Sequence, residues 1–251
     1  LKPIAANTNG IFECLEKGAE YIHWDEKRKA YQNQTGDIRR GVGMALFSYK
    51  TGVWPISLEI AGARLSLNQD GSVQLQVGAT EIGQGADTVF SQMAAETLHM
   101  DISRVHIVTQ QDTDVTPFDT GAYASRQSFV TGTAVKECAQ QLKQKILEYA
   151  RTLVPGNVDR LELEDGYILA DGKPAISLED LAMESYYSLS NSSVLTAEVS
   201  RQVKKNTVAS GCCFAEVEVD MKLGKIKVLD IVNVHDSGTL LNPQLAAMQV
   251  H

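Results

Sequence analysis

No stretch of the 251-residue sequence approaches the roughly 18 uncharged apolar residues that a membrane helix needs. The opening LKPIAANTNG also lacks the apolar core of a signal peptide. These absences lead us to expect a soluble, cytoplasmic chain. The four cysteines, Cys14, Cys138, Cys212 and Cys213, form no CxxC pair, so neither an iron–sulfur cluster nor a zinc site is indicated within this chain. Positive charge is outnumbered, 23 Lys and Arg against 31 Asp and Glu. A net charge of -8 would repel a phosphate backbone, which argues against nucleic acid and requires any anion to be gripped locally. What is present is a globular balance, 43% hydrophobic and 22% charged, enough for one large domain or two smaller ones. The chain starts at Leu1 and stops at His251 after an apolar run, and reads as an excerpt.

Apolar residues Ile11, Cys14, Leu15, Ala19 and Ile22 recur at spacings of three and four, which predicts a helix within 9–31. From Gly41 the texture changes to short β-branched runs, with a hairpin turning at Asn68-Gln69-Asp70-Gly71. Helical spacing returns over 86–100, a compact strand is expected at 104–110, and a long helix over 128–153 carries Val135, Cys138, Leu142, Ile146 and Ala150 on one stripe. A hairpin at 161–170 and a Ser177-capped helix to 187 follow. Strand candidates at 194–199, 212–219 and 226–234 close the chain. The expected fold is α+β, two-layered, with mixed sheets packed against helices. Its divisions are a helical segment at 1–35, an α/β domain at 36–190, and an unfinished second α/β unit at 191–251.

Three loops could carry chemistry. EIGQG at 81–85 lies between a strand and a helix, where unpaired N–H groups and two glycines suit a phosphate or a planar ring edge. A tight strand-to-helix turn accounts for the same glycines. The second loop, 112–126, is long for a connector; Gly121, Ala122, Ala124 and Ser125 would let a planar ligand lie on the main chain. Arg126 could hold an anion or pair with a carboxylate. Asp112, Asp114 and Asp119 lack the offsets of a calcium loop and read as turn residues. In the third loop, 234–243, the adjacency of His235, Asp236 and Ser237 counts against a hydrolytic triad, which is assembled across a fold. His23, His99 and His106 lack metal-ligand spacing.

Taken in order, ATEIGQGADTVFSQMAAE, QDTDVTPFDTGAYASRQSFVTGTAV and VNVHDSGTLLNPQLAAMQVH resemble the molybdenum-binding subunits of the xanthine dehydrogenase and aldehyde oxidase family of molybdenum hydroxylases. The likeness runs from NTNGIFECLEKG to the last residue. It implies a molybdopterin site, with the cytosine dinucleotide form left open. Gly83, Gln84 and Gly85 would contact the pterin. Ala124 and Ser125 would lie against its molybdenum end, with Ala124 the residue assigned to the metal. Ala122 and Arg126 would support the loop, and Gln249 would hydrogen-bond the cofactor.

The implied reaction is hydroxylation of a purine or another N-heterocycle with oxygen from water and hydride passing to molybdenum. FAD-binding and iron–sulfur subunits or domains would carry electrons away, in a hetero-oligomer. Aldehyde- and nicotinate-type hydroxylases are the near alternatives, and a phosphate-binding or assembly module without chemistry is the distant one. The resemblance places the family's base glutamate in a Gly-Glu motif beyond His251, so no residue of this chain is named catalytic; Glu81 adjoins the pterin loop without support as a base.

Overall fold

The structure is a computed structural model that describes residues 9–250, so the first eight residues of the expected N-terminal segment and His251 lie outside it. By internal contacts the chain forms two compact units, Leu1–Thr51 with Asn206–His251, and Gly52–Lys205. No described helix is long and apolar enough to cross a membrane.

In the unit Gly52–Lys205, alternating burial folds β2 (Ile60–Leu67) onto β3 (Val73–Val77) as an antiparallel pair. Ala61, Ala63, Leu65 and Leu67 of β2 all face the core. The turn between the strands is set by Asp70, whose carboxylate accepts from the N–H and hydroxyl of Ser72. Helix α3 (Ala86–Leu98) then carries the chain to β4 (Val105–Ile107), parallel to β3. The expected strand–helix–strand order is therefore present, with a β4 shorter than expected.

Helix α4 (Gln127–Leu153) lays Val130, Ala134, Val135, Cys138, Leu142, Ile146 and Ala150 on this sheet, all buried at helical spacing. After α4, β5 (Leu161–Glu164), β6 (Tyr167–Ala170) and β7 (Lys173–Ser177) form a small meander. Its two turns repeat one device, with Asp165 and Gly166, then Asp171 and Gly172, all at positive φ. Helix α5 (Leu178–Tyr187) starts where Ser177 Oγ accepts from the N–H of Asp180 at 3.0 Å.

Strand β8 (Thr196–Gln202) joins the free edge of β2, giving the order β4-β3-β2-β8. This differs from the division at 190/191. An edge strand leaves unpaired N–H and C=O groups, and β8 supplies them to β2 from Ile60 to Ser66.

The other unit is a long antiparallel sheet of β1 (Ile38–Thr51), β9 (Thr207–Asp220) and β10 (Lys225–Asp236), ordered β1-β9-β10. Rather than beginning a new α/β unit, β9 and β10 complete a sheet with a strand more than 150 positions earlier in the chain. The expected N-terminal helix is divided into α1 (Ile11–Tyr21) and α2 (Trp24–Ala30) at His23, which takes a left-handed φ of 57°. The break serves packing: Trp24 meets the Phe214 ring edge-on at 5.5 Å, over a core of Cys14, Ile22, Val42 and Cys212. Lys27 and Tyr31 both reach the buried carboxylate of Glu216, each at 2.6 Å.

Candidate functional site

The first loop leaves β3 at Val77 and enters α3 after Gly85, with positive φ at Gly83 and Gly85 of 98° and 82°. The chain supplies its own anion here. Glu81 Oε1 accepts from the N–H of Gly83 at 2.7 Å and Gly85 at 3.0 Å, and Oε2 accepts from Asp87 at 3.1 Å. Burial pushes the Glu81 carboxyl up, but these amides with that of Ala86 outweigh it and hold its pKa below the usual glutamate value. The outward-facing amides expected of this turn are to that extent already occupied.

Asp87 has the opposite environment. Burial, then the charge of Glu81, raise its pKa, and Oδ1 is buried without a hydrogen-bond partner among the described residues. Gln84 is fastened by its side chain. Oε1 accepts from the N–H of Ile82 at 2.7 Å, while Nε2 donates to the Thr80 carbonyl at 3.1 Å and to Gln127 Oε1.

The second loop lies directly against the first. A Cβ added to Gly78 would fall 2.1 Å from the Pro117 carbonyl oxygen and 2.9 Å from the Asp119 nitrogen, so only glycine allows this approach. At the far end of the loop, Ala124 and Ser125 take consecutive left-handed φ values of 49° and 51°. Two such residues without glycine are a strained arrangement that the surroundings must enforce. Within this turn the Arg126 N–H is itself used, donating to the Tyr123 carbonyl at 3.2 Å.

The Gly52 N–H pins the turn by donating to the Ala124 carbonyl at 2.8 Å, and Arg126 anchors the rest of the loop. The Arg126 side chain is fully buried, as is that of Asp119. Its Nε donates to Glu59, one terminal nitrogen donates to Asp119 and to the Gly121 carbonyl, and the other donates to the Ile60 carbonyl. Burial disfavours the guanidinium charge, but Glu59 and Asp119 outweigh it and hold the pKa above the usual arginine value. Asp119 also accepts from the Gly121 N–H and the Thr131 hydroxyl. Of the two roles open to Arg126 in the sequence, pairing with carboxylates is the one observed.

Gln127, the first residue of α4, binds the two loops together: it accepts from Gln84 and donates to the Thr80 carbonyl at 3.1 Å. Gly83, Gln84, Gly85, Ala122, Ala124, Ser125 and Arg126 are thereby gathered in one unit. Gly83, Ala122 and Ser125 are exposed, Gln84, Gly85 and Ala124 half-buried. Gln249 belongs to the other unit, exposed at the end of α6 (Pro243–Met248), whose start is capped by Asn242. In that unit Asp236 accepts from the N–H groups of Gly10 and Gly238, and the His235 ring tilts against Phe47 at 4.9 Å. Asp112 accepts from the Asp114 N–H, as a turn residue does. Among the described residues, no three His, Cys, Asp or Glu side chains are grouped to hold a metal ion.

Sequence reasoning missed Glu59, Gln127 and Thr131 as parts of this frame. Glu59 carried a signal: a glutamate against the apolar run of β2 is costly to bury unless paired.

Residues 17–251 match the family described as molybdopterin cofactor-binding domain. The chain is 49% identical over 245 residues to the xanthine dehydrogenase molybdenum-binding subunit of Escherichia coli O157:H7, covering 96% of this chain and 33% of that protein. It is 31% identical over 249 residues to the probable hypoxanthine oxidase XdhD of Escherichia coli (strain K12), covering 99% of this chain and 25% of that one. Its fold superimposes on the Cu,Mo-CO dehydrogenase with a TM-score of 0.83 at 22% identity, over 98% of this chain and 33% of that one. The chain thus spans about a third of the length of such relatives or less.

Proposed function

This chain belongs to the molybdopterin cofactor-binding domain family, and on that premise we propose that it forms part of the molybdenum-binding subunit of a xanthine dehydrogenase-like hydroxylase acting on a purine. The observation that carries the reading is the Gln84–Gln127 hydrogen bond, which fastens a Gly-Gln-Gly turn to a small-residue loop in one unit.

The residues present fit such a cofactor. An added Cβ at Gly83 would meet nothing within 4 Å, so the turn offers open space, and Ala122, Ala124 and Ser125 leave a planar guest only a methyl or a hydroxyl to clear. Gly83, Gln84, Gly85, Ala124 and Ser125 would hold the pterin, with Ala124 nearest the molybdenum. The lone pair left on Gln84 Oε1 can accept from a ring N–H. Ala122 and Arg126 would support the loop, Arg126 holding its backbone at the Gly121 carbonyl and tying Asp119 to Glu59.

When bound, the molybdenum centre supplies the two-electron oxidation that hydroxylates an electron-poor carbon. This chain's residues would bind and orient it, and none of them is assigned the proton transfer. FAD-binding and iron–sulfur partners carry the electrons onward in a cytoplasmic hetero-oligomer.

The test is metal and pterin analysis of the full-length protein purified with its partners. Molybdenum and pterin in equal amounts, with purine oxidation that disappears in cells grown on tungstate, are expected. A folded complex free of both, or activity that survives tungstate, contradicts the proposal.

A further inference from the structure

An unfilled crown of N–H groups at a helix start is a ready receptor for a phosphate or carboxylate. Ahead of α3 the receptor is filled from within, because both Glu81 oxygens are engaged by the N–H groups of Gly83, Gly85 and Asp87. These bonds fix the main chain on either side of Gln84, while Ile82, Thr80 and Gln127 fix its side chain. The buried Asp87 Oδ1 has no hydrogen-bond partner among the described residues.

We propose that Glu81 is a positioning residue: an internal carboxylate that plugs the amide crown of α3, sets the shape of loop 80–85 before any cofactor arrives, and excludes phosphate from it. The cofactor then meets this loop by a neutral edge at Gly83 and Gln84 and carries its phosphate elsewhere. The plug stands on the hydrogen bonds alone; its consequence for the cofactor rests on the molybdopterin reading above.

The experiment uses the full-length protein, wild type and Glu81→Ala, Glu81→Gln and Glu81→Asp, made both in cells competent for cofactor synthesis and in cells unable to make it. In cofactor-free protein, hydrogen exchange at the amides of residues 83, 85 and 87 should accelerate on the order of tenfold or more in Glu81→Ala and less in Glu81→Gln, since a charged acceptor is replaced by nothing or by a neutral one. Residues 161–170 should exchange as in wild type. Added acetate should restore protection in Glu81→Ala and change nothing in wild type, a rescue that a merely structural side chain would not show. In competent cells Glu81→Ala should retain several-fold less pterin than wild type.

Wild-type protection in Glu81→Ala, failure of acetate to restore it, or undiminished pterin would overturn the proposal. If Glu81→Ala does not fold, the same comparison is made with Glu81→Gln, where faster exchange supports the plug and unchanged exchange overturns it. A wild-type protein with protected amides but no molybdenum or pterin in competent cells would sink the molybdopterin reading and leave the plug standing.

Discussion

Arg126 and Glu59 form an ion pair whose two side chains are 0% and 1% exposed, across 67 positions of sequence. It joins the second loop to the start of β2, with Asp119 as the other acceptor. Because each charge is buried, each depends on the other.

Arg126→Ala should therefore cost about 3–5 kcal/mol, leaving two buried carboxylates without their cation. Arg126→Lys keeps the charge but cannot reproduce the four-way fork, so it should fall between. Calorimetric Tm of the full-length protein checks the order wild type, Lys, Ala. Equal Tm values for all three would show that the pair does not hold the loop.

Gly83 and Gly78 separate space from strain. Gly83→Ala has room for its methyl but sits at φ 98°, so about 1–3 kcal/mol of local strain is expected, with a methyl group placed where the guest should lie. Pterin content should fall more than Tm. Gly78→Ala would drive a Cβ into the Pro117 carbonyl, and Tm should fall at least as far as pterin content. Fluorescence of the released, oxidised pterin against Tm distinguishes the two.

Asp87 sets a pH dependence. Its folded pKa is raised, by burial first and Glu81 second, so ionisation opposes the fold. The neutral form's advantage is present below the unfolded carboxylate value and is lost as pH rises toward the folded one. Asp87→Asn should gain stability relative to wild type as pH is raised from about 4, measured as the Tm difference between the two. A difference that stays constant with pH would contradict the assignment.

In the other unit, Tyr31→Phe removes one of the two donors on the buried Glu216 carboxylate and should cost about 1.5–3 kcal/mol, read as earlier urea unfolding. The pKa of Glu216 is held below its usual value by Lys27 first and Tyr31 second, against burial. Its contribution is present above the unfolded glutamate value and is lost as pH falls through the folded one. The gap between Tyr31→Phe and wild type should shrink under acid.

What the sequence made legible was local. The β2–β3 hairpin, the stripe on α4 and the Ser177 cap follow from period, turn residues and spacing within a few positions. β7 went unread, because Lys173 and Pro174 break the β-branched texture even though Asp171-Gly172 repeats the preceding turn. Pairings over long separations left no periodic trace: β9 with β1, β8 with β2, and Glu59 with Arg126 are fixed by edges and buried charges that meet only in the folded chain. At the site, small residues marked the second loop. The first loop's glycines hid the fact that Glu81 already fills the amides they expose.

The most direct measurement is a crystal structure of the full-length protein with data collected at the molybdenum absorption edge. An anomalous peak beside Ala124 and Ser125, with a pterin ring reaching Gly83 and Gln84, is the expected result. A peak remote from both loops, or well-ordered loops in a molybdenum-loaded crystal with no pterin against them, would contradict the assignment of this unit as a cofactor cradle.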